Sequence, residues 1–499
     1  MIREVTILGG GSAGLLAALS LRRRLPDLPV RVIRSADIGV IGVGEGTTQI
    51  FPRYLFENLR LKPAQFYAEA QPTWKLGIRF LWGARPHFHY TFSSMIDARW
   101  EDLPKNNGYY CDEDFENLDV WASLMGQDKA FPRRPDGLPD FDGHQHVGFH
   151  IENKKLVDYL EARCRDFGAE IIDATVQRVE TSERGVEALI LEDGRVLTSD
   201  LFVDASGFRS ELLGRALGVP FQPFTQTLFC DRAVIGGWPR TTEPIRSYTV
   251  AETMNHGWSW QIEHEGWINR GYVYSSAFVS DEEARAELVA KNPKVIEGGR
   301  EPRIVRFRTG RYATMWKGNV VGIGNASGFV EPLEASALQC IIVQCRTLAD
   351  LLLDTAGEPT ATAIEMYNRF IGDLWDNVRD FLGVHYKFNG RLETPFWQAA
   401  RNDTALGRAT DLVRFYQENG PSSLGRTVLL DPNDPYGLEG YYALLVGQKV
   451  PFSHPWRPGQ DERRIFDKHR KDILGEAKRG FDVASTLEAI RRPGWRWGG

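Results

Sequence analysis

The chain has 499 residues, a formal net charge of −6 and 42% hydrophobic residues. That length supports one large body with an appended region and a deep buried pocket. The sequence holds no apolar run near the roughly 20 residues a membrane span needs and no Lys/Arg block that would suit a nucleic acid, so neither a membrane nor a nucleic acid is expected as a partner.

The start, Met1 to Leu8, enters a strand-like run without the basic, apolar and small-residue order of a leader, so a cytoplasmic location is expected. Residues 3–8 alternate into an apolar strand, a glycine-rich turn follows, Ser12 to Arg24 reads as a helix and Val30 to Ile33 as a second strand: a β-α-β opening. The turn, Gly9-Gly10-Gly11-Ser12-Ala13-Gly14, satisfies G-x-G-x-x-G in the strand-to-helix context that the motif requires. Gly9 permits the tight turn, Gly11 lets backbone approach a pyrophosphate, Gly14 lets the helix pack on the strand, and the N–H groups around Ser12 and Ala13 face the anion. The acidic residue that usually grips a ribose at the end of the second strand is missing; Arg34 stands there and is expected to hold ribose or phosphate instead.

Further along, Lys154 to Phe167 reads as a helix, with Leu156, Val157, Leu160 and Cys164 at helical spacing, and short strands follow at 170–172, 176–180, 186–191 and 201–203. From about 225 to 322 the chain reads as short β-runs, including Tyr248 to Ala251, Trp258 to Ile262 and Tyr272 to Ser275, interrupted by a helix around Asp281 to Lys291. After residue 324 it turns helical, from Ala335 through Thr355 and from Ala361 to Phe381, and stays helix-rich to about 490. The expected division is therefore a body over 1–340, including a β-rich substrate-side sheet about 75–130 and 225–320, and a mainly helical substrate-covering region over 341–499. The five cysteines, Cys111, Cys164, Cys230, Cys340 and Cys345, form no CxxC pair and no zinc-type cluster, so reduced thiols are expected and neither disulfides nor a metal site.

Two strands carry alternations that allow two readings. Trp258, Trp260 and Ile262 point to one face, which makes either an aromatic wall beside a flat ligand or an ordinary core strand. In Pro72 to Phe80, Trp74, Leu76, Ile78 and Phe80 share one face, leaving Lys75, Gly77 and Arg79 on a face that meets solvent or a tunnel.

Several segments together resemble the flavin-dependent tryptophan halogenase family, from about residue 5 to 340 and more weakly near 441. They are Ile41-Gly42-Val43-Gly44-Glu45-Gly46-Thr47-Thr48, similar to the family's flavin strap; Asp204-Ala205-Ser206-Gly207 and Gly322-Ile323-Gly324-Asn325, similar to later flavin-binding stretches of FAD monooxygenases; Gly257 to Glu263, similar to Trp-x-Trp-x-Ile-Pro but with Glu263 at the proline position; Pro72 to Phe80, in which Lys75 matches the catalytic lysine; and Phe329 to Leu338, in which Glu334 matches the catalytic glutamate. The resemblance implies an α/β fold: an FAD-binding Rossmann-like body of the flavin monooxygenase type, with a β-sheet substrate region and a packed C-terminal helical region. It also implies cofactor contacts from Val43, Gly44, Glu45, Val176, Asp204, Gly324, Asn325 and Leu338 beside the glycine turn, and a halide held near Ser336 and Ala337, where the family has Ser-Thr-Gly and this chain has Ala335-Ser336-Ala337.

The activity so implied uses FADH2, O2 and chloride or bromide to make hypohalous acid, which Lys75 guides to an aromatic carbon while Glu334 handles the departing proton. Tyr90 and Phe92 fall where a His-x-Phe stacking pair is expected. Tyr441 and Tyr442 match an amino-acid-binding helix, but Gln448 stands where an ammonium-binding glutamate is expected, which points to an indole-like aromatic over free tryptophan. Only one glycine fingerprint is present, so a separate NAD(P)H-dependent flavin reductase is expected to supply FADH2, and a homodimer stays open. An FAD-dependent aromatic hydroxylase and a non-catalytic flavin-binding protein are the alternatives.

Overall fold

The computed structural model describes residues 1–36, 44–93, 95–141, 146–299, 301–426 and 429–497. It divides the chain into two compact units, one of residues 1–71, 151–225 and 307–376, the other of residues 72–150, 226–306 and 377–499.

The first unit is built on a six-stranded sheet whose order is Trp316–Lys317, Val320–Gly322, Leu201–Asp204, Val5–Leu8, Val30–Arg34 and Glu170–Asp173. All neighbours run parallel except the first pair. Parallel strands with both faces covered read as apolar runs, and Val5, Ile7, Val32, Ile33 and Leu201 to Val203 are all buried. The helices Ser12–Arg24, Asn153–Asp166 and Ala337–Asp354 belong to the same unit, the first packing against both of the others. This is the Rossmann-like body, and the expected β-α-β opening is in place. A three-stranded antiparallel sheet of Val176–Ser182, Gly185–Leu191 and Val196–Leu197 adds to it.

The second unit carries a seven-stranded sheet in the order Arg303–Arg306, Arg232–Pro239, Trp267–Tyr274, Gly257–Glu263, Tyr248–Met254, Gly77–Leu81 and Phe88–Thr91. Its helices are tied to it by buried indoles: Trp82 Nε1 donates to the carbonyl of His385 at 2.9 Å, and Trp397 Nε1 to that of Met254 at 2.7 Å. Helix Gly437–Gly447 comes close because its glycines leave room, a Cβ at Gly447 falling 2.5 Å from the Phe88 ring. The helix predicted near 281 spans Asp281–Lys291 and starts with a Ser280/Glu283 capping box.

The expected division at 340 differs from these units. Residues 341–376 stay with the first unit because helix Ala337–Asp354 packs on Ser12–Arg24, whereas the β-rich 72–150 and 226–306 share a sheet and hold the C-terminal helices through Trp82 and Trp397. All five cysteines are buried and unbonded to one another. Among the described residues no helix is long and apolar enough to cross a membrane.

A half-buried glutamate ties down the start of helix Gly437–Gly447. Glu439 accepts the N–H groups of Met95, Ile96 and Asp97, each at 2.8 Å, yet burial outweighs those bonds and pushes the carboxyl up to about 7. An acid raised on folding contributes stability that is fully present below its ordinary value of 4.5 and lost as pH rises through 7. The stability advantage of wild type over Glu439→Gln, measured by urea unfolding, is therefore expected to shrink between about pH 5 and about pH 8. An advantage that grows over that range would mean that the three N–H bonds outweigh burial.

Candidate active site

In the first unit the glycine turn meets the two later flavin-type stretches. Gly9 has φ +127°, and a Cβ there would lie 2.2 Å from the carbonyl oxygen of Ala205. Gly14 is closed by the turn itself, since its Cβ would lie 1.9 Å from the Gly9 oxygen, and Gly324 packs 2.9 Å from the Ala13 Cβ by the same measure. Gly11 differs from all of these: a Cβ there meets nothing within 4 Å. That open position stands at the N-cap of the 13-residue helix Ser12–Arg24, which has no side-chain cap and no acidic residue in its first turn. Free N–H groups beside open space suit a diphosphate, so these residues fit the dinucleotide expected of them.

Other expected cofactor contacts are placed unequally. Asp204 is buried and accepts from Ser206 N–H and Oγ and from the N–H groups of Leu212 and Leu213, so its carboxylate serves the backbone that follows it. Arg34 lies 3.2 Å from Glu161 and 3.7 Å from Asp173. Gly44 has φ +92°, and Glu45 beside it is pushed up to about 7 by desolvation while Asn153 donates to it at 3.3 Å. Val43 lies outside the described residues. Asn325 sits in the turn Gly324–Ala326, Val176 opens the strand Val176–Ser182, and Leu338 is buried in the first turn of helix Ala337–Asp354.

Glu334 was expected at a helix start. It instead ends the 3-10 turn Pro332–Glu334, followed by Ala335 at φ +53° and then by Ser336 as N-cap of the 18-residue helix Ala337–Asp354. The left-handed Ala335 separates the carboxylate from the helix start, so Glu334 does not act as a first-turn acid. Ser336 is 1% exposed and its Oγ is buried with no hydrogen-bond partner. An orphan hydroxyl at a helix N-terminus with no acid in its first turn is a place for a small anion.

In the second unit, Lys75 ends the short strand Thr73–Lys75, which pairs antiparallel with residues 148–150. Its side chain is 0% exposed, and the ammonium lies 5.5 Å from the centroid of the Phe92 ring. Lys75 thus faces the interior; solvent is excluded. Tyr90 and Phe92 remain half-buried, Tyr90 beside Phe381 with ring centroids 6.3 Å apart. Phe381 also touches Tyr441 edge-on at 5.0 Å and stacks on Tyr436 at 3.7 Å. Phe381, within helix Ala361–Lys387, and Tyr436, at the N-cap of Gly437–Gly447, are absent from the expected site because neither carries a local sign of which ring it will meet.

Trp258 and Trp260 lie on one face of the strand Gly257–Glu263, ring centroids 6.1 Å apart, and with Ile262 they are buried. Tyr441 and Tyr442 spend their hydroxyls internally, on Asp434 at 3.2 Å and on the carbonyl of Ser422 at 2.6 Å. Gln448 is buried and donates its Nε2 to the carbonyl of Val384 at 3.3 Å. At Glu263, where proline was expected, a buried carboxylate pairs with Arg240.

The model of the family described as "Tryptophan halogenase" matches residues 4–461. Tryptophan 7-halogenase KtzQ of Kutzneria sp. (strain 744) is 31% identical, over 98% of this chain and 97% of that protein. Among solved structures, MibH, a lanthipeptide tryptophan 5-halogenase, is 37% identical with a TM-score of 0.88 over 98% of this chain and 93% of its own. BrvH, a flavin-dependent halogenase from Brevundimonas sp. BAL3, is 27% identical with a TM-score of 0.84, covering 98% and 99%. The chain belongs to the tryptophan halogenase family and is a flavin-dependent halogenase, an oxidoreductase that uses FADH2, O2 and chloride or bromide.

Proposed function

We propose that this halogenase passes hypohalous acid to Lys75, which presents the halogen to an indole-like aromatic. The observation that carries this reading is a wholly buried lysine whose ammonium stands over an aromatic ring, in a segment matching the family's lysine segment. A desolvated amine next to a ring, shielded from bulk water, can donate a hydrogen bond to hypohalous acid or carry the halogen as a haloamine.

Bound FADH2 with O2 supplies the two-electron oxidation of halide to hypohalous acid. The protein's own share is positional. Gly9, Gly11, Ser12, Ala13 and Gly14 hold the diphosphate, with Gly44, Glu45, Val176, Gly324, Asn325 and Leu338 as further contacts; Arg34, ion-paired with Glu161, and Asp204, bonded to the backbone that follows it, act by supporting them. The Ser336 hydroxyl and the N–H of Ala337 hold the halide. As the aromatic carbon bonds to halogen, the oxygen leaves as water with a proton from Lys75, and Glu334 takes the proton released by the ring. Tyr90 and Phe92 flank the ring of the substrate, and a separate NAD(P)H-dependent reductase delivers FADH2.

An indole-like substrate is favoured over free tryptophan because Gln448, at the ammonium-binding position, is a neutral amide turned into the packing of its own unit. A screen with FADH2, O2 and bromide or chloride over indole, substituted indoles, free tryptophan and a tryptophan-containing peptide, read by mass, tests this. Indoles are expected to turn over fastest at equal concentration; highest turnover of free tryptophan overturns the substrate reading. Lys75→Ala is expected to lose halogenation while still consuming O2, and retained halogenation removes Lys75 from the reaction. Ser336→Ala should raise the halide concentration for half-maximal rate by about two- to tenfold, the worth of one hydrogen bond to an ion, with FAD affinity unchanged.

A further inference from the structure

The residue that breaks the family's Trp-x-Trp-x-Ile-Pro signature gives up a ring and gains a backbone donor. Glu263 N–H donates to His150 Nδ1 at 3.4 Å, and the Glu263 carbonyl accepts from Thr73 Oγ1. Thr73 and His150 are themselves cross-strand partners on the ladder that ends at Lys75. A proline at 263 could offer the carbonyl but not the N–H. Because Nδ1 accepts, the ring proton sits on Nε2, which donates to Thr249 Oγ1 at 2.8 Å. Both nitrogens of the imidazole are then committed, and the signature strand Gly257–Glu263 is stapled to the lysine strand.

On that ladder Thr73, Lys75 and His150 project from one face, Thr73 opposite His150 and Lys75 opposite Gly148, so His150 and Lys75 are diagonal neighbours. Both are 0% exposed. The charged groups around His150 are Lys75 on the partner strand, His264 and Glu263 at the end of the signature strand, and Arg240, which pairs with Glu263. Two cations on one buried face are costly, and burial first, then the Lys75 charge, hold the His150 imidazole well below its usual range.

We propose that His150, locked by the Glu263 N–H, is a positioning residue for Lys75, and that glutamate in place of proline is what supplies this lock. The inference rests on the Lys75 reading above. The lock fixes the register of the lysine strand and fills the diagonal site beside the lysine stem. Without it the ammonium drifts, and hypohalous acid escapes before it reaches the substrate.

The test compares Glu263→Pro, which removes the N–H, with Glu263→Gln, which keeps it, and His150→Gln, which lacks an acceptor at the Nδ1 position, with His150→Asn, which restores one. Halogenated product is measured against halogen captured by an excess of a β-diketone trap at equal O2 consumption. Glu263→Pro and His150→Gln should raise the trapped share by about two- to tenfold without slowing O2 consumption, and His150→Asn and Glu263→Gln should bring it back toward wild type. Nitrogen NMR of the full-length wild-type protein should show His150 as a neutral Nε2–H imidazole from about pH 5 to about pH 9, a measurement that decides even if the variants do not fold. A wild-type partition in both Glu263→Pro and His150→Gln, or an imidazole that titrates in that window, overturns the lock. Should Lys75→Ala halogenate like wild type, the underlying reading falls; should it be inactive while the lock variants match wild type, only the lock falls.

Discussion

Taking the Lys75 amine out of water is the demand that organises the second unit. An isolated buried ammonium costs several kcal/mol, and the cost is tolerable only with compensating surroundings. Here these include the face of the Phe92 ring, the short ladder to residues 148–150, and the break at Leu76, whose N–H donates to the carbonyl of Ser247 and so starts a new strand in the large sheet. Gly77 makes that transition possible, since any Cβ there would lie 2.2 Å from the Tyr90 carbonyl oxygen. Burial, ring contact and strand break act together, so the backbone shares in holding the Lys75 side chain.

The first unit solves the opposite electrostatic problem. The chain is acidic overall, yet its two long helices at the candidate cofactor and halide positions, Ser12–Arg24 and Ala337–Asp354, have no acidic residue in their first turns. Positive helix ends are thereby left available to anions of different sizes. At one end the opening is made by a missing side chain, Gly11; at the other it is marked by a present one, the unpartnered Ser336 hydroxyl.

How much of this was legible depends on the range of the interaction. The glycine turn, the signature strand and the helix at 281–291 are local patterns, and they stand where motif and periodicity put them. The lysine strand was read for alternation, but whether its second face met solvent is a question of what packs on it, which no strand states about itself. Glu334 was read as a helix start because nothing in Glu-Ala-Ser-Ala announces the left-handed Ala335. Local spacing places Tyr441 and Tyr442 on one helix and Gln448 at its end but does not state their partners: Tyr441 reaches Asp434 seven residues back, Tyr442 the carbonyl of Ser422, and Gln448 that of Val384 on a separate helix. The boundary at 340 follows the change from short β-runs to helices, whereas the units follow sheet pairing between segments more than 140 residues apart, such as Gly77–Leu81 with Tyr248–Met254.

One glycine in the sheet limits how this enzyme can be altered. Gly271 lies opposite Trp260, and a Cβ there would fall 2.0 Å from the indole. The tryptophan occupies the volume that its cross-strand neighbour vacates, so the two positions behave as a single steric variable. Exchange of Trp260 for a smaller residue opens space that a larger residue at 271 can refill, and a side chain at 271 displaces the indole from its present position. Efforts to reshape this strand face must therefore consider both positions together, and a chain with the signature tryptophan and a larger residue opposite must orient that indole differently.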